Sequence, residues 1–323
     1  MTLYPPSIVL PIYGVFTGVG IVLTCLRFWV RLSYAPQPFP NNKLYLDDYF
    51  IVLGLVVVCA CTGIQFYNGI EGGAGAAISA HSKDDEALVE LKVDFTMIVI
   101  EKIAFGAIKL SLLYLFRRII GFWDSFRRYN NVLIVLIVAW TLSFFLADLL
   151  LCGTHPELEV GLDQQAAARG CGDKGALLIA FAATSVVTDL LVLVLPLPYI
   201  WRLPQRPAKK VMVCFVFLLG GISTLAGILR LVFLSVAYPT GRLNFGYVSR
   251  PGDKGPYILQ AFNPTFWVMV EMCLGVWAAN LPALAPLVRG INEKYKASSL
   301  YRKLSSSGLS ESAMKSSSNK SVV

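Results

Sequence analysis

The chain has 323 residues, of which 56% are hydrophobic and 15% charged, and its mean hydropathy is +0.63. Soluble domains carry roughly 25% charged residues, so this chain has too little polar surface to cover globular domains of its size. The composition therefore indicates a polytopic membrane protein. It excludes a secreted disulfide scaffold, a nucleic-acid-binding factor and a cytosolic enzyme.

Seven predominantly apolar stretches follow one another along the chain. A bilayer core requires about 20 such residues in helical form, because a helix satisfies its own backbone hydrogen bonds in lipid. None of the stretches has the strict alternation of barrel strands. The sequence therefore predicts an all-α fold, a seven-transmembrane-helix bundle. The predicted spans are residues 7–31, 48–67, 93–116, 132–152, 175–201, 211–238 and 265–288.

The distribution of cations predicts how the bundle is oriented. Of the 28 Lys and Arg residues, 18 fall in or beside the segments that follow the first, third, fifth and seventh spans, whereas 7 fall on the opposite side. Cytoplasmic loops carry the excess of Lys and Arg, so we expect the N-terminus outside and the C-terminus in the cytoplasm. The formal charge of +8 is then an inner-leaflet feature and does not predict a nucleic acid partner.

The composition changes after the seventh span. Residues 1–291 form the predicted transmembrane domain, whereas residues 292–323 are rich in Ser and Lys and contain few large apolar side chains. Such a segment buries too little apolar surface to fold. We expect a disordered cytoplasmic tail, on which phosphorylation would offset the neighbouring lysines.

Two of the seven cysteines are placed for pairing with each other. Cys152 ends the fourth span and Cys171 precedes the fifth, so both face the outer, oxidising compartment in the predicted topology. A disulfide between them would close a loop of about 20 residues and stabilise the fold by about 3 kcal/mol. The two histidines, His81 and His155, lie in outer loops, so we predict no metal site and no haem or other cofactor.

Ionisable side chains occur inside the predicted spans, where each costs several kcal/mol unless it is paired or hydrated. One interpretation is internal pairing, of Arg230 with a glutamate and of Lys109 with Asp189, that fixes the helix packing. The other is a polar cavity that opens outward between the third, fifth, sixth and seventh spans and holds a small ligand. The two interpretations are compatible. The candidate ligand-binding residues are Glu101, Lys102, Lys109, Asp189, Arg230 and Glu271.

A series of spaced motifs extends from about residue 27 to residue 289. The motifs are Asp47-Asp48-Tyr49, Lys109-Leu110-Ser111, Arg117-Arg118-Ile119, the pair Cys152 and Cys171, Thr188-Asp189, Leu195-Pro196-Leu197-Pro198, Trp201-Arg202-Leu203, Gly220-Gly221 with Arg230, and Leu281-Pro282. Together they resemble the fungal rhodopsin-like-domain integral membrane proteins, a family named after a satratoxin-cluster membrane protein and related to the appressorial seven-helix receptors.

The resemblance implies a seven-helix, receptor-like membrane protein with its N-terminus outside, and several family members are associated with secondary-metabolite gene clusters. It does not imply retinal. A retinal Schiff base needs a lysine in the seventh span, and residues 265–288 contain none. A cytoplasmic signalling partner is implied by architecture and family alone.

We therefore expect a multi-pass protein of the plasma membrane or an endomembrane that acts as a receptor-like or accessory protein and binds a lipophilic small molecule, in association with a secondary-metabolite pathway. An alternative is an intramembrane cyclase or isomerase with Glu101, Asp189 and Glu271 as catalytic acids. Phe105, Trp267 and Trp277 would then shelter a cationic intermediate. A transporter is less favoured, because neither internal repeats nor broken helices at the midplane are evident.

Overall fold

The computed structural model describes residues 6–33, 44–70, 84–153, 170–202, 207–237 and 264–284, and these residues contain helices and no strand. The all-α class predicted from the sequence is confirmed. A 3₁₀ turn, Leu281–Leu284, follows the last helix. The helices are α1 Pro6–Ser33, α2 Leu46–Ile70, α3 Asp84–Ile120, α4 Asp124–Leu149, α5 Lys174–Val194, α6 Leu197–Arg202, α7 Pro207–Ala237 and α8 Pro264–Asn280.

Six of these helices, α1, α2, α4, α5, α7 and α8, are long and apolar enough to cross a bilayer. The outer faces of α1, α2, α4, α5 and α7 carry large apolar side chains that are more than half exposed, including Val22, Val56, Val135, Val187 and Leu225. A water-soluble protein rarely exposes apolar surface of this extent, whereas acyl chains would cover it. The chain is a multi-pass membrane protein.

The seventh long helix, α3, has 37 residues and is therefore about 55 Å long. It packs against α2, α4, α5 and α8, and its middle is buried on every side, with Ala104 and Leu113 fully inaccessible. Glu101, Lys102 and Lys109 interrupt its apolar sequence. Because neighbouring helices surround α3, these charged side chains contact protein instead of lipid.

The fifth predicted span, residues 175–201, is interrupted in the structure. Helix α5 ends at Val194, Leu195 and Pro196 form a turn, and the short helix α6 begins at Leu197. Proline at 196 has no backbone N–H to donate, so it ends the regular hydrogen-bond ladder. At the other end of α5, the Asp173 carboxylate accepts a hydrogen bond from the backbone N–H of Ala176 and caps the helix.

A disulfide joins Cys152 and Cys171, as the sequence predicts. It links the segment after α4 to the segment before α5, and the backbone N–H of Gly172 donates to the Leu151 carbonyl beside it. The predicted tail, residues 292–323, lies outside the described residues, as do His81 and His155.

Candidate functional site: a buried ion-pair network

The first part of the network joins α3 to α4. The Lys102 ammonium lies 2.7 Å from a carboxylate oxygen of Glu101 and 3.1 Å from one of Asp148. Lys102 is fully buried and the two acids are nearly so. One lysine thus contacts a carboxylate of its own helix and a carboxylate of α4, and the second contact fixes the approach of α4 to α3.

The second part joins α3 to α5 through Lys109, which lies two turns further along α3 on the same face as Lys102. Its Nζ contacts the Ser185 carbonyl and hydroxyl oxygens, both at 3.1 Å, and the Thr188 hydroxyl at 2.7 Å. It also lies 3.1 Å from Oδ1 of Asp189. Ser185, Thr188 and Asp189 share one face of α5, because residues three and four apart are neighbours on a helix.

The third part joins α7 to α8. Nε of Arg230 lies 3.2 Å from Oε2 of Glu271, and its Nη2 lies 3.5 Å from Oε1. The Ser185 hydroxyl donates to Oε1 of Glu271 at 3.3 Å. Because Ser185 also accepts from Lys109, this hydroxyl connects the second part of the network to the third.

Aromatic rings fill the space between the cations. The ring of Phe181 has Lys102 at 4.5 Å and Arg230 at 5.3 Å from its centroid. The rings of Trp140 and Phe181 stack with their centroids 5.0 Å apart, and Nζ of Lys109 lies 4.6 Å from the centroid of the Trp140 ring. The Arg230 guanidinium lies 5.1 Å from the centroid of the Phe105 ring. Contacts of this kind stabilise a desolvated cation by about 2 kcal/mol, so the rings substitute for part of the lost hydration.

The structure brings the six residues singled out from the sequence into one connected network. The pairs Arg230–Glu271 and Lys109–Asp189 form as the pairing interpretation predicts. Glu101 pairs with its neighbour Lys102 and not with Arg230.

Two aromatic residues of the site, Phe181 and Trp140, were missed in the sequence, although Phe181 precedes Ser185 by one helical turn. Phe105 belongs to the network. Trp277 instead donates to the Phe16 carbonyl of α1, and Trp267 stacks on Phe233.

A small cavity lies beside the second and third parts of the network, between α3, α5, α7 and α8. Its volume is about 40 Å³, enough for about three water molecules or a head group of similar size. Polar side chains occur on one part of its wall, and the remainder is apolar. The polar residues of the wall are Lys109, Asp189, Ser223, Thr224 and Glu271.

A second charged cluster lies at the opposite end of the bundle from Asp148. Arg27 of α1 donates to Asp47 at 2.6 Å, to Asp48 at 2.9 Å and to the Ala279 carbonyl of α8 at 2.8 Å. Arg31, one turn later, contacts both aspartates. In the sequence, both arginines counted only as loop cations. Two features of the sequence could have predicted this cluster: the arginines are four residues apart on one face of α1, and two adjacent aspartates lie in the first turn of α2.

These features define the class: a multi-pass helical membrane protein in which seven of the described helices contribute to buried charge pairs and a small, mostly apolar cavity contains a few polar side chains. A family model for the fungal rhodopsin domain matches residues 26–290, and the chain belongs to that family. The resemblance stated from the sequence motifs is confirmed.

Two curated relatives give the family a context. The chain is 28% identical over 211 residues to the "Polyenoic acids biosynthesis gene cluster protein Ba17b" of Metarhizium anisopliae, covering 65% of this chain and 55% of that protein. It is 21% identical over 284 residues to the "Receptor GIN3" of Arthrobotrys oligospora, covering 87% and 62%. The chain thus spans less than two thirds of either relative. No solved structure matches the chain.

Proposed function

We propose that this protein is a seven-helix, receptor-like membrane protein that binds a small lipophilic molecule between α3, α5, α7 and α8. The observation that carries the proposal is the cavity of about 40 Å³, whose wall combines Lys109, Asp189 and Glu271 with apolar side chains. Ligand sites in helical bundles are mostly apolar and contain a few placed polar groups. Charged residues inside a membrane are functional candidates because their burial there is costly.

In this proposal α3 is the third of seven spans, with the N-terminus outside and the C-terminus in the cytoplasm. Burial of Glu101, Lys102 and Lys109 among other helices makes it possible for a charged helix to cross the bilayer. Asp47 and Asp48 neutralise Arg27 and Arg31, so these two arginines carry little weight in the orientation. Leaving them out of the cation count does not change which side has the majority.

Ligand binding would act on the bundle through the ion pairs. Lys109 and Asp189 connect α3 to α5, and Arg230 and Glu271 connect α7 to α8. A ligand that contacts one of these acids alters its pairing and thereby the packing of both helices. A ligand shifts a conformational equilibrium by its difference in affinity for the two states, and a change in packed ion pairs supplies that difference.

The names of the two relatives support two possible roles for such a protein, a receptor and a member of a biosynthetic pathway. One carries the printed name of a receptor and the other that of a biosynthesis gene cluster protein. We propose that the ligand is a lipophilic metabolite and that the protein serves its pathway as a receptor or accessory protein.

The alternative, an intramembrane cyclase or isomerase, gains no support from the aromatic geometry. Such an enzyme would need free ring faces to shelter a cationic intermediate. Lys102, Lys109 and Arg230 already lie over the faces of Phe181, Trp140 and Phe105. The protein's own cations therefore occupy the positions that a reacting cation would need.

The test is retention of metabolites by the full-length protein in lipid nanodiscs. Wild-type protein is incubated with a lipid extract of fungal culture, and retained compounds are identified by mass spectrometry. Ala278→Leu fills the cavity wall, whereas Ala180→Leu adds the same volume on an exposed face of α5. We expect a compound that wild type and Ala180→Leu retain and Ala278→Leu loses. Equal retention by all three, or retention of nothing, contradicts the proposal.

A further inference from the structure

We infer that the cavity binds a hydroxyl group, a neutral hydrogen-bond donor, and rejects a carboxylate. The inference rests on the proposed function and specifies the chemical class of its ligand. It follows from which hydrogen-bonding groups of the cavity wall are already engaged and which remain available. The wall contains one ammonium, two hydroxyls and two carboxylates.

The ammonium of Lys109 has no donor left for a ligand. A lysine has three N–H groups, and four acceptor atoms surround this one at 2.7–3.1 Å: the carbonyl and hydroxyl of Ser185, the hydroxyl of Thr188 and Oδ1 of Asp189. Lys109 therefore supplies charge to the site but no free hydrogen bond.

Both hydroxyls of the wall donate to backbone carbonyls. Ser223 donates to the Glu271 carbonyl at 3.1 Å, and Thr224 donates to the Gly220 carbonyl at 2.9 Å. Each hydroxyl has one proton and two lone pairs, so each presents only acceptor capacity to the cavity.

Asp189 is the group best placed to accept from a ligand. Its side chain is 17% exposed, whereas those of Lys109 and Glu271 are 4% and 1% exposed. Its contact with the described residues is the ion pair with Lys109, and it accepts no further hydrogen bond from them. At least one lone pair of the carboxylate is therefore available.

Among the described residues, the polar part of the wall thus offers acceptors and no available donor. A ligand carboxylate would bring oxygen atoms against the Asp189 oxygens in a site of low polarity, and neither would be satisfied. A ligand ammonium would add a charge beside two pairs, Lys109–Asp189 and Arg230–Glu271, that are already neutral. A hydroxyl supplies one proton to Asp189 without adding charge.

The apolar part of the wall receives the rest of the ligand. Leu193 of α5 lies over Gly220 of α7, so closely that a Cβ added at Gly220 would lie 2.5 Å from a Leu193 methyl carbon. Leu190 of α5 and Leu218 of α7, within three residues of this contact in the sequence, are exposed. An alkyl chain that displaces the Leu193 side chain would extend from the cavity into the bilayer.

The inference is tested with four probes that share one alkyl chain: 1-hexanol, hexyl methyl ether, hexanoate and hexylamine. The readout is the rate at which a methanethiosulfonate reagent modifies the thiol of an Ala278→Cys variant, followed by peptide mass spectrometry in zwitterionic nanodiscs. A hydrogen bond to a charged acceptor changes affinity by about tenfold or more. We expect 1-hexanol to protect this thiol at about one tenth of the concentration that the ether or hexylamine requires, and hexanoate to give no protection.

Two further variants link the preference to named atoms. Adding Asp189→Asn introduces an amide donor, so the ether should gain affinity and the tenfold preference for the alcohol should disappear. Adding Thr224→Val removes an acceptor that the ligand's single proton does not use, so the preference for the alcohol should remain. Asp124→Asn, on the exposed first turn of α4, should leave the preference unchanged.

Three results would overturn the inference. The first is equal protection by the alcohol and the ether. The second is stronger protection by hexanoate than by 1-hexanol, which would mean that the cavity binds ligands but selects another chemistry. In that case the proposed function stands. The third is no protection by any probe, and the retention experiment with fungal extract then decides the proposed function separately.

Discussion

The ion pair between Arg230 and Glu271 allows a quantitative prediction. Both side chains are at most 2% exposed, and they meet at 3.2 Å between α7 and α8. Removing one partner of a buried pair leaves an unpaired buried charge and costs about 3–5 kcal/mol, whereas replacing both with apolar residues is often close to neutral. We expect Arg230→Met to lower the free energy of unfolding by about 4 kcal/mol. The double variant Arg230→Met/Glu271→Leu should recover most of that loss.

The recovery will be incomplete for two reasons. Arg230 also lies over the rings of Phe105 and Phe181, and these contacts are worth about 2 kcal/mol at most. Glu271 also accepts from Ser185, a hydrogen bond worth about 1 kcal/mol. The double variant should therefore remain about 1–2 kcal/mol less stable than wild type, which is far less than the sum of the losses in the two single variants.

The assay is unfolding of the full-length protein in bicelles by titration with SDS, followed by tryptophan fluorescence. Arg127→Met, which removes an exposed arginine from α4, is the matched control and should change stability by less than about 0.5 kcal/mol. If Arg230→Met costs no more than this control, or if the double variant costs the sum of both single variants, the pair does not hold α7 against α8.

Three further predictions use the same unfolding assay. Arg27→Lys should cost about 2 kcal/mol despite the retained charge, because an ammonium cannot reproduce the planar fork of donors; an unchanged midpoint would contradict the bonding described. Cys152→Ser should cost about 3 kcal/mol, and the variant should lose the sensitivity to reductant that wild type has. Gly106→Ala should cost about 1–3 kcal/mol by overpacking, because its Cβ would lie 2.3 Å from Oγ1 of Thr141, whereas Gly63→Ala has open space and should be neutral or stabilising. The reverse order of the two glycine variants would refute the close approach of α3 to α4.

The network explains how α3 combines a membrane setting with three charged residues. An apolar span can face lipid because it has no polar side chain that requires a hydrogen-bond or charge partner. Helix α3 instead faces other helices over most of its surface. Acids from α4, α5 and α8 and the neighbouring Glu101 supply countercharge, and aromatic rings supply the remaining contact surface. Charge pairs therefore lie within the apolar core at the centre of the bundle, where they are partnered and out of contact with lipid.

The disulfide and the membrane class were predictable because they depend on local facts. Cys152 and Cys171 flank two neighbouring spans on the same side, so few other pairings were available to them. The partner of Arg230 was harder to predict, because the sequence offered Glu101 and Glu271 equally; the structure pairs Arg230 with Glu271 and Glu101 with Lys102. The rotation of each helix about its own axis decides which charged side chains face each other. Successive residues are 100° apart around that axis, and the hydropathy of a span does not specify which of them faces a given neighbour.

Helix ends show a similar division. Pro196 and Pro198 lie near the end of the fifth predicted span, and α5 ends at Val194 because the proline at 196 has no backbone N–H to donate. The early start of α4 at Asp124 was not predicted. Its first two turns are polar on one side, so a hydropathy criterion assigns them to a loop although Phe126 and Asn130 are buried against the bundle.

The amino-acid sequence by itself determined that this protein lies in a membrane, that it is helical and which charged residues lie inside it. Peptide groups in lipid must form their hydrogen bonds within a helix or a closed barrel, and the length of each apolar stretch can be read directly from the sequence. The tertiary structure alone decided which charges meet. The choice of partner depends on how helices that are far apart in the chain rotate and pack. This explains why Arg27 and Arg31 contact Asp47 and Asp48, and why the Asp189 carboxylate lines a cavity.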